Sequence, residues 1–392
     1  MRRAGILLIV TTALLGGCTS RPAVESALSQ AGTNRPELES VLNHYRTVDD
    51  NPDKLRSAEF LIENMPAHYS CAGTDSRTIP DAQVIKASYL IDNIDKAYEQ
   101  WTTCPWAEQL TFDQYLDWML PYKAVELQEL DYWRDSLFAR FGACLERSLK
   151  NDVEYGTVMQ VAEDMRIEAK RQLGRNQVND NSKDYVVTSV LMFRSAGLPC
   201  VMDETPVGPR GKAATSWFVL FGERGDEYKS EWDLSTEIEW GFFPYERGPK
   251  VYRNTYSINQ ERLEYKRKAK YQYPFDLCKK DVTTHYFLTS SISIPVKRSV
   301  CSHLKDKYVY IASAVRDASN PWQIVDFGKL SHGNACFKDM GREVLYVVMG
   351  YDGKELIPIT EPFILHKDES IEYVSADTIS SPRLDRWKNN AL

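Results

Sequence analysis

Apolar residues recur at helical spacing through most of the first half of the chain and at strand spacing through most of the second. Asn34, Pro36 and Glu37 supply a cap, a first-turn proline and an early acid, and lead into Leu38, Val41, Leu42 and Tyr45. Asn51, Pro52 and Asp53 repeat that start signal before Leu55, Ala58, Leu61, Ile62 and Met65. The same period predicts helices over 82–98, 112–119, 125–149, 158–173 and 185–196. After Gly197-Leu198-Pro199 the period changes. Residues 200–204, 216–221 and 227–232 read as short strands between glycine-containing turns. The charged stretch 261–270 reads as a solvated connector. Beyond it, 282–295, 308–315, 322–327, 343–349 and 363–366 form a run of strands that predicts a small all-β sandwich or barrel. The expected class is α+β: a helical N-terminal region packed on a mixed core, followed by a C-terminal all-β region.

Composition narrows the functions. The 392 residues carry 48 basic and 55 acidic side chains, a net charge of −7, without the basic stripe of a nucleic-acid binder. With 43% hydrophobic and 26% charged residues, the chain has the balance of a folded globular protein and not of a disordered one. Arg2 and Arg3 precede an apolar run over 6–15, which is too short to cross a bilayer permanently. The junction Leu15-Gly16-Gly17-Cys18 resembles the lipobox of bacterial lipoproteins. That resemblance implies a signal peptide over 1–17 and a lipidated Cys18, hence a cell-envelope protein on the outer membrane. Thr19-Ser20 lacks the acidic cluster that would favour surface export.

Seven cysteines follow Cys18, at positions 71, 104, 144, 200, 278, 301 and 336. No CxxC pair occurs among them, so neither a thioredoxin motif nor a zinc knuckle is expected. Cys200, within the apolar stretch 198–202, reads as a small buried hydrophobe. The acids Asp180, Asp184, Asp203, Glu204, Glu223 and Asp226 do not follow the spacing of a calcium loop. His303, His332, Cys301 and Cys336 fit no tetrahedral zinc pattern. No metal and no cofactor is expected.

Six segments, taken in order, resemble the transglutaminase-like cell-envelope lipoproteins of Bacteroidetes-type bacteria. They are 36–42 (PELESVL), 58–69 (AEFLIENMPAHY), 120–134 (from LPYK to YWR), 193–199 (FRSAGLP), 250–256 (KVYRNTY) and 337–342 (FKDMGR). The resemblance implies a tether and helical region over 18–150, a papain-like transglutaminase core over 151–265 and a β region over 270–392. It also implies a Cys-His-Asp site, in which a thiolate at a helix N-terminus is served by a strand imidazole that an acid orients. Carried onto this chain, the Cys position twelve residues before Arg194 is Ser182. The His position before Ser216-Trp217 is Thr215, and the acid lies near Asp233.

Two of those three positions therefore lack the family's chemistry. Between His68 and His285 the chain has no histidine at all, so the core expects no imidazole. A serine hydroxyl needs a general base far more than a thiol does, and threonine cannot supply one near neutral pH. Lys183 and Lys212 are conceivable bases that nothing in the spacing singles out. Ser182 reads more simply as a helix cap. The reading is a catalytically degenerate, lipid-anchored binding protein for a peptide, peptidoglycan or glycan, with Trp217, Trp232 and Trp240 as candidate contact faces. The rival reading is a hydrolase or acyl transferase that uses Ser182. A third gives the C-terminal β region an assembly role. Oligomeric state is not legible.

Overall fold

A computed structural model of the chain describes residues 21–72, 77–107, 110–150, 158–173, 183–208, 211, 214–222, 227–230, 247–315 and 321–374. Helices dominate its first half: α1 (Pro22–Gln30), α2 (Arg35–Thr47), α3 (Pro52–Asn64), α4 (Ala87–Thr103), α5 (Phe112–Trp118), α6 (Trp133–Lys150), α7 (Val158–Leu173) and α8 (Lys183–Ser195). A small antiparallel hairpin, β1 (Tyr69–Ala72) with β2 (Arg77–Pro80), sits between α3 and α4. Residues such as Leu38, Val41, Leu61, Ile94, Leu116 and Phe193 face inward to one continuous apolar core, as the period predicts.

The start signals work by different means. Asn51 caps α3, its side-chain oxygen accepting from Asp53 N and Lys54 N at 3.0 and 3.1 Å, an arrangement that contributes about 1 kcal/mol. Asn34 makes no such cap. Its buried amide instead donates to the carbonyls of Ala82 and Ile85, which ties α2 to the turn before α4. That turn, Asp81–Gln83, is 3₁₀, so α4 begins at Ala87 and not near 82. Helix α6 begins at Trp133 and not near 125, because Leu127 takes a left-handed φ of 64°, which no helix continues through.

An antiparallel sheet follows, built from β3 (Cys200–Thr205), β4 (Thr215–Phe221), β5 (Glu227–Ser230), β6 (Tyr252–Asn254) and β7 (Lys279–Asp281) in the order β5-β4-β3-β6-β7. Strand alternation divides its side chains. Cys200, Met202, Phe218 and Leu220 join the helical core on the α8 side. Val201, Trp217, Val219 and Phe221 meet Val251, Val282 and Phe287 on the other. Cys200 is fully buried, in keeping with its apolar surroundings. The stretch read as a connector contains a helix, α9 (Gln260–Lys268). Asn259 caps it, and Arg262 and Tyr265 turn inward while its other charges face water.

The C-terminal strands are β8 (Thr289–Pro295), β9 (Tyr308–Ala314), β10 (Trp322–Ser331), β11 (Asn334–Gly341), β12 (Val344–Tyr351), β13 (Leu356–Pro358), β14 (Phe363–Leu365) and β15 (Ile371–Tyr373), with one short helix, α10 (Arg298–Cys301), after β8. Among the described residues they form one curled antiparallel sheet and not two stacked sheets. Its order is β15-β14-β12-β9-β10-β11-β8, with β13 beside β12. Bulges at Ile324/Asp326 and Phe337/Met340 sharpen the bend. A methyl group at Gly328 would lie 2.1 Å from the Cys336 carbonyl, so only glycine lets β10 approach β11 there.

Lys250 joins the two sheets. Its side chain has no exposure, and its ammonium pairs with Asp281 of β7 and, at 3.1 Å, with Asp326 of β10. It also donates to the Lys338 carbonyl of β11 at 2.7 Å. Tyr252 adds a bond to the Val325 carbonyl at 2.8 Å. Lys250→Met keeps the volume but leaves two carboxylates facing each other. Because Asp281 is partly hydrated, the cost should fall at the lower end of the range for a broken buried pair, about 3 kcal/mol. Urea unfolding checks this, and a loss under about 1 kcal/mol would mean the tie is not structural.

Candidate functional site

The described residues bring together a histidine, a carboxylate and a thiol that sequence spacing keeps far apart. Helix α3 ends in the 3₁₀ turn Met65–Ala67, which delivers His68 to the start of β1 at 1% exposure. Glu126 lies on the loop before α6. That loop is pinned to β1 by Leu127 N donating to the Tyr69 carbonyl at 2.9 Å and by Tyr69 N donating to Glu126 Oε2 at 2.9 Å. Cys278 precedes β7 and is 3% exposed. Its N–H donates to Asp276 Oδ1, and its carbonyl accepts from Thr255 N at 3.0 Å. Tyr256, just after β6, stacks its ring on His68 with centroids 4.0 Å apart.

Both imidazole nitrogens are engaged. Nδ1 contacts Glu126 Oε1 closely, and Nε2 lies 2.8 Å from the Tyr256 carbonyl and 3.7 Å from Cys278 Sγ. Two acceptors can be satisfied only by a ring that carries both protons, so His68 is imidazolium at neutral pH. Burial favours the neutral ring, but the Cys278 sulfur and the Glu126 carboxylate outweigh it and hold the pKa up at about 10. For Glu126 burial works the other way and is likewise overcome by His68, so its pKa is lowered. Burial pushes the Cys278 thiol up, against the pull of the imidazolium.

These groups line a small pocket with Pro121, Lys123, Arg194, Asn254 and Asp276. Four of the six family-resembling segments thus converge on it. Arg194 donates to the carbonyls of Cys200 and Lys123 at 2.8 and 3.1 Å, and burial lowers its pKa to about 10. Lys123 is held by Asp81 at 2.6 Å and by the Tyr69 carbonyl at 2.8 Å. The pocket's free volume is only about 10 Å³, room for roughly one water.

A Cys-His-Glu line is the arrangement of an acyl-transfer relay. Here the thiol is covered, the Nε2 proton points at a backbone carbonyl, and no acyl group fits beside the sulfur. The arrangement can hold a proton or a small ion; it does not admit a polymer.

The family-derived positions fall elsewhere. Ser182, Asp233, Trp232 and Trp240 lie outside the described residues, as do Cys18, Lys212, Asp180, Glu223 and Asp226. Thr215 opens β4 opposite Thr205, half-buried. Alternation places it on the Trp217 face, the side of the sheet away from α8. Trp217 is no open contact face: it is 2% exposed, and its Nε1 donates to Tyr286 OH at 2.9 Å. Asp203 and Glu204 are ion-paired to Arg253 and Lys279 and form no solvated acidic rim. All seven described cysteines are free thiols. His303, His332, Cys301 and Cys336 are not brought together as a ligand set, whereas His68, Glu126 and Cys278 are.

Sequence spacing could not find that set, since His68 is 58 residues from Glu126 and 210 from Cys278. Its one signal was that His68 stands inside a family-resembling segment.

The His68–Glu126 tie makes stability pH-dependent. A raised histidine pKa contributes fully below the ordinary value of 6.5 and loses that contribution as pH rises through about 10. The lowered Glu126 pKa contributes above the ordinary value of 4.5 and fades as pH falls below it. The difference in unfolding free energy between wild type and Glu126→Gln should therefore peak near pH 6 (about 6, between those limits) and shrink toward pH 10. Urea melts across that range measure it; a difference independent of pH would contradict an imidazolium at position 68. Comparison with protein-family models, with curated proteins and with solved structures finds no match to this chain.

Proposed function

We propose that the chain is a transglutaminase-like envelope lipoprotein, anchored through Cys18 on the outer membrane, that binds a peptide, peptidoglycan or glycan without cleaving it. The packing of α8 against the antiparallel sheet β5-β4-β3-β6-β7 is compatible with the papain-like core the resemblance implies. The observation that carries the binding reading is an open cleft between that sheet and the C-terminal one. It measures about 640 Å³, within the roughly 300–1,000 Å³ of ligand sites.

One wall comes from β6, β7 and α9, the other from β8, β10 and β11. Tyr252 and Phe327 supply apolar surface to its floor. Ser291 and Ser293 point outward from β8 because Ile292 and Ile294 point into the core. Glu261, Lys329 and Lys338 edge the opening with both signs of charge. Hydroxyls, paired charges and ring faces suit a polymer that carries hydroxyl, amide and ionised groups. No imidazole is among the residues that line this cleft, and the buried one belongs to the small pocket around His68. The ligand surface and the proton-handling groups are thus separate.

Calorimetric titration with muropeptides, stem peptides and neutral oligosaccharides tests the reading. Ser293→Trp, which fills the cleft from an exposed strand position, should weaken binding of the ligand that titrates at least tenfold, about 1.4 kcal/mol. Thermal stability should stay unchanged. Equal affinity in that variant would remove the cleft from consideration. A fluorophosphonate that labels wild type but not Ser182→Ala would favour the hydrolase reading instead.

A further inference from the structure

We propose that His68 and Cys278 form a site for a single tetrahedral divalent metal ion of the zinc class, with Glu126 orienting the imidazole. Two ligands of one tetrahedral zinc, at about 2.0–2.1 Å for nitrogen and about 2.3 Å for sulfur, stand about 3.6 Å apart. His68 Nε2 and Cys278 Sγ are 3.7 Å apart. Glu126 holds the opposite ring nitrogen, which is how carboxylates fix the tautomer of metal-bound histidines. One Glu126 oxygen also lies in the same group of ligand atoms, all within 4.8 Å of one another. The pocket beside them has room for one small particle, and the Tyr256 carbonyl lies 2.8 Å from Nε2.

Charge and proton balance are consistent. The ion displaces the thiol proton of Cys278 and the Nε2 proton of His68, both released to buffer, while the Nδ1 proton stays on Glu126's bond. The Tyr256 carbonyl, 2.8 Å from Nε2 on the side the ion would take, has to draw back as the ion enters and then serves as its third ligand. Water completes the set. Lys123 is restrained by Asp81 and Arg194 by backbone carbonyls, so neither cation is free to swing into the ion's place. The soft sulfur with one nitrogen selects zinc or cobalt over magnesium or calcium.

The experiment adds cobalt(II), then zinc(II), to the purified full chain under reducing conditions. The expected result is one equivalent bound, with tetrahedral visible bands and a thiolate charge-transfer band that zinc abolishes. Cys278→Ser should lose the charge-transfer band, and Glu126→Gln should weaken affinity about 10–100-fold. A band that survives in Cys278→Ser, or none at excess cobalt, overturns the proposal. Should Cys278→Ser fail to fold, zinc-edge X-ray absorption of the wild type decides: one sulfur near about 2.3 Å with nitrogen and oxygen neighbours supports it, while two sulfurs or none overturn it. Metal binding here and ligand binding in the cleft are measured separately, so either can fail alone.

Discussion

A cation taken out of water must be solvated by something else, and for two buried arginines of this protein the backbone does most of that work. Arg134 and Arg194 are both almost fully buried, and neither has a carboxylate within bonding distance among the described residues. Arg134 is held by Asn93 and by the carbonyls of Met119 and Leu120. Arg194 is held by Cys200, Lys123 and Pro121. Burial depresses both, Arg134 to about 9 and Arg194 to about 10, yet both remain charged at neutral pH. Because an unsatisfied buried guanidinium would cost several kcal/mol, the stretch from Met119 to Lys123 has little freedom to move. That stretch leads directly into Glu126, so the position of the His68 partner follows from where two arginines find their carbonyls.

Local chemistry made much of the architecture legible. Asn51-Pro52-Asp53 marks the start of α3 because a cap and a first-turn proline act within a few residues. The change of period after Pro199 marks the sheet for the same reason. Elements went astray where a distant group intervened. Glu261, Lys266, Arg267 and Lys268 made 261–270 look like a connector, but Tyr265 packs on Phe327 with centroids 4.5 Å apart, and that contact anchors a helix. Trp217 looked like a recognition face, yet Tyr286, 69 residues on, takes its indole proton. The core was expected to lack an imidazole, and by sequence interval it does. His68 arrives in space from outside that interval, which no count along the chain can register.

The two sites also answer different physical demands. The pocket around His68 is polar and small, and His68, Glu126, Lys123 and Arg194 in it are each bonded to a partner from another segment. The cleft between the sheets is wide, edged by Glu261 of α9, Lys329 of β10 and Lys338 of β11, with the β8 serines turned toward it by alternation. A strand that buries Ile292 and Ile294 must present Ser291 and Ser293 outward, so the serine side of the cleft is the reverse side of the β core.

Lys250 lies beneath both walls of that cleft and is tied to each. A groove whose sides are tied through one buried ammonium is held against the gaping and clamping of hinged binding proteins. Its occupant would meet a preformed mould, sacrificing little protein entropy on capture. Discrimination would then rest on fit at first encounter, with related polymers excluded by shape before any rearrangement could accommodate them.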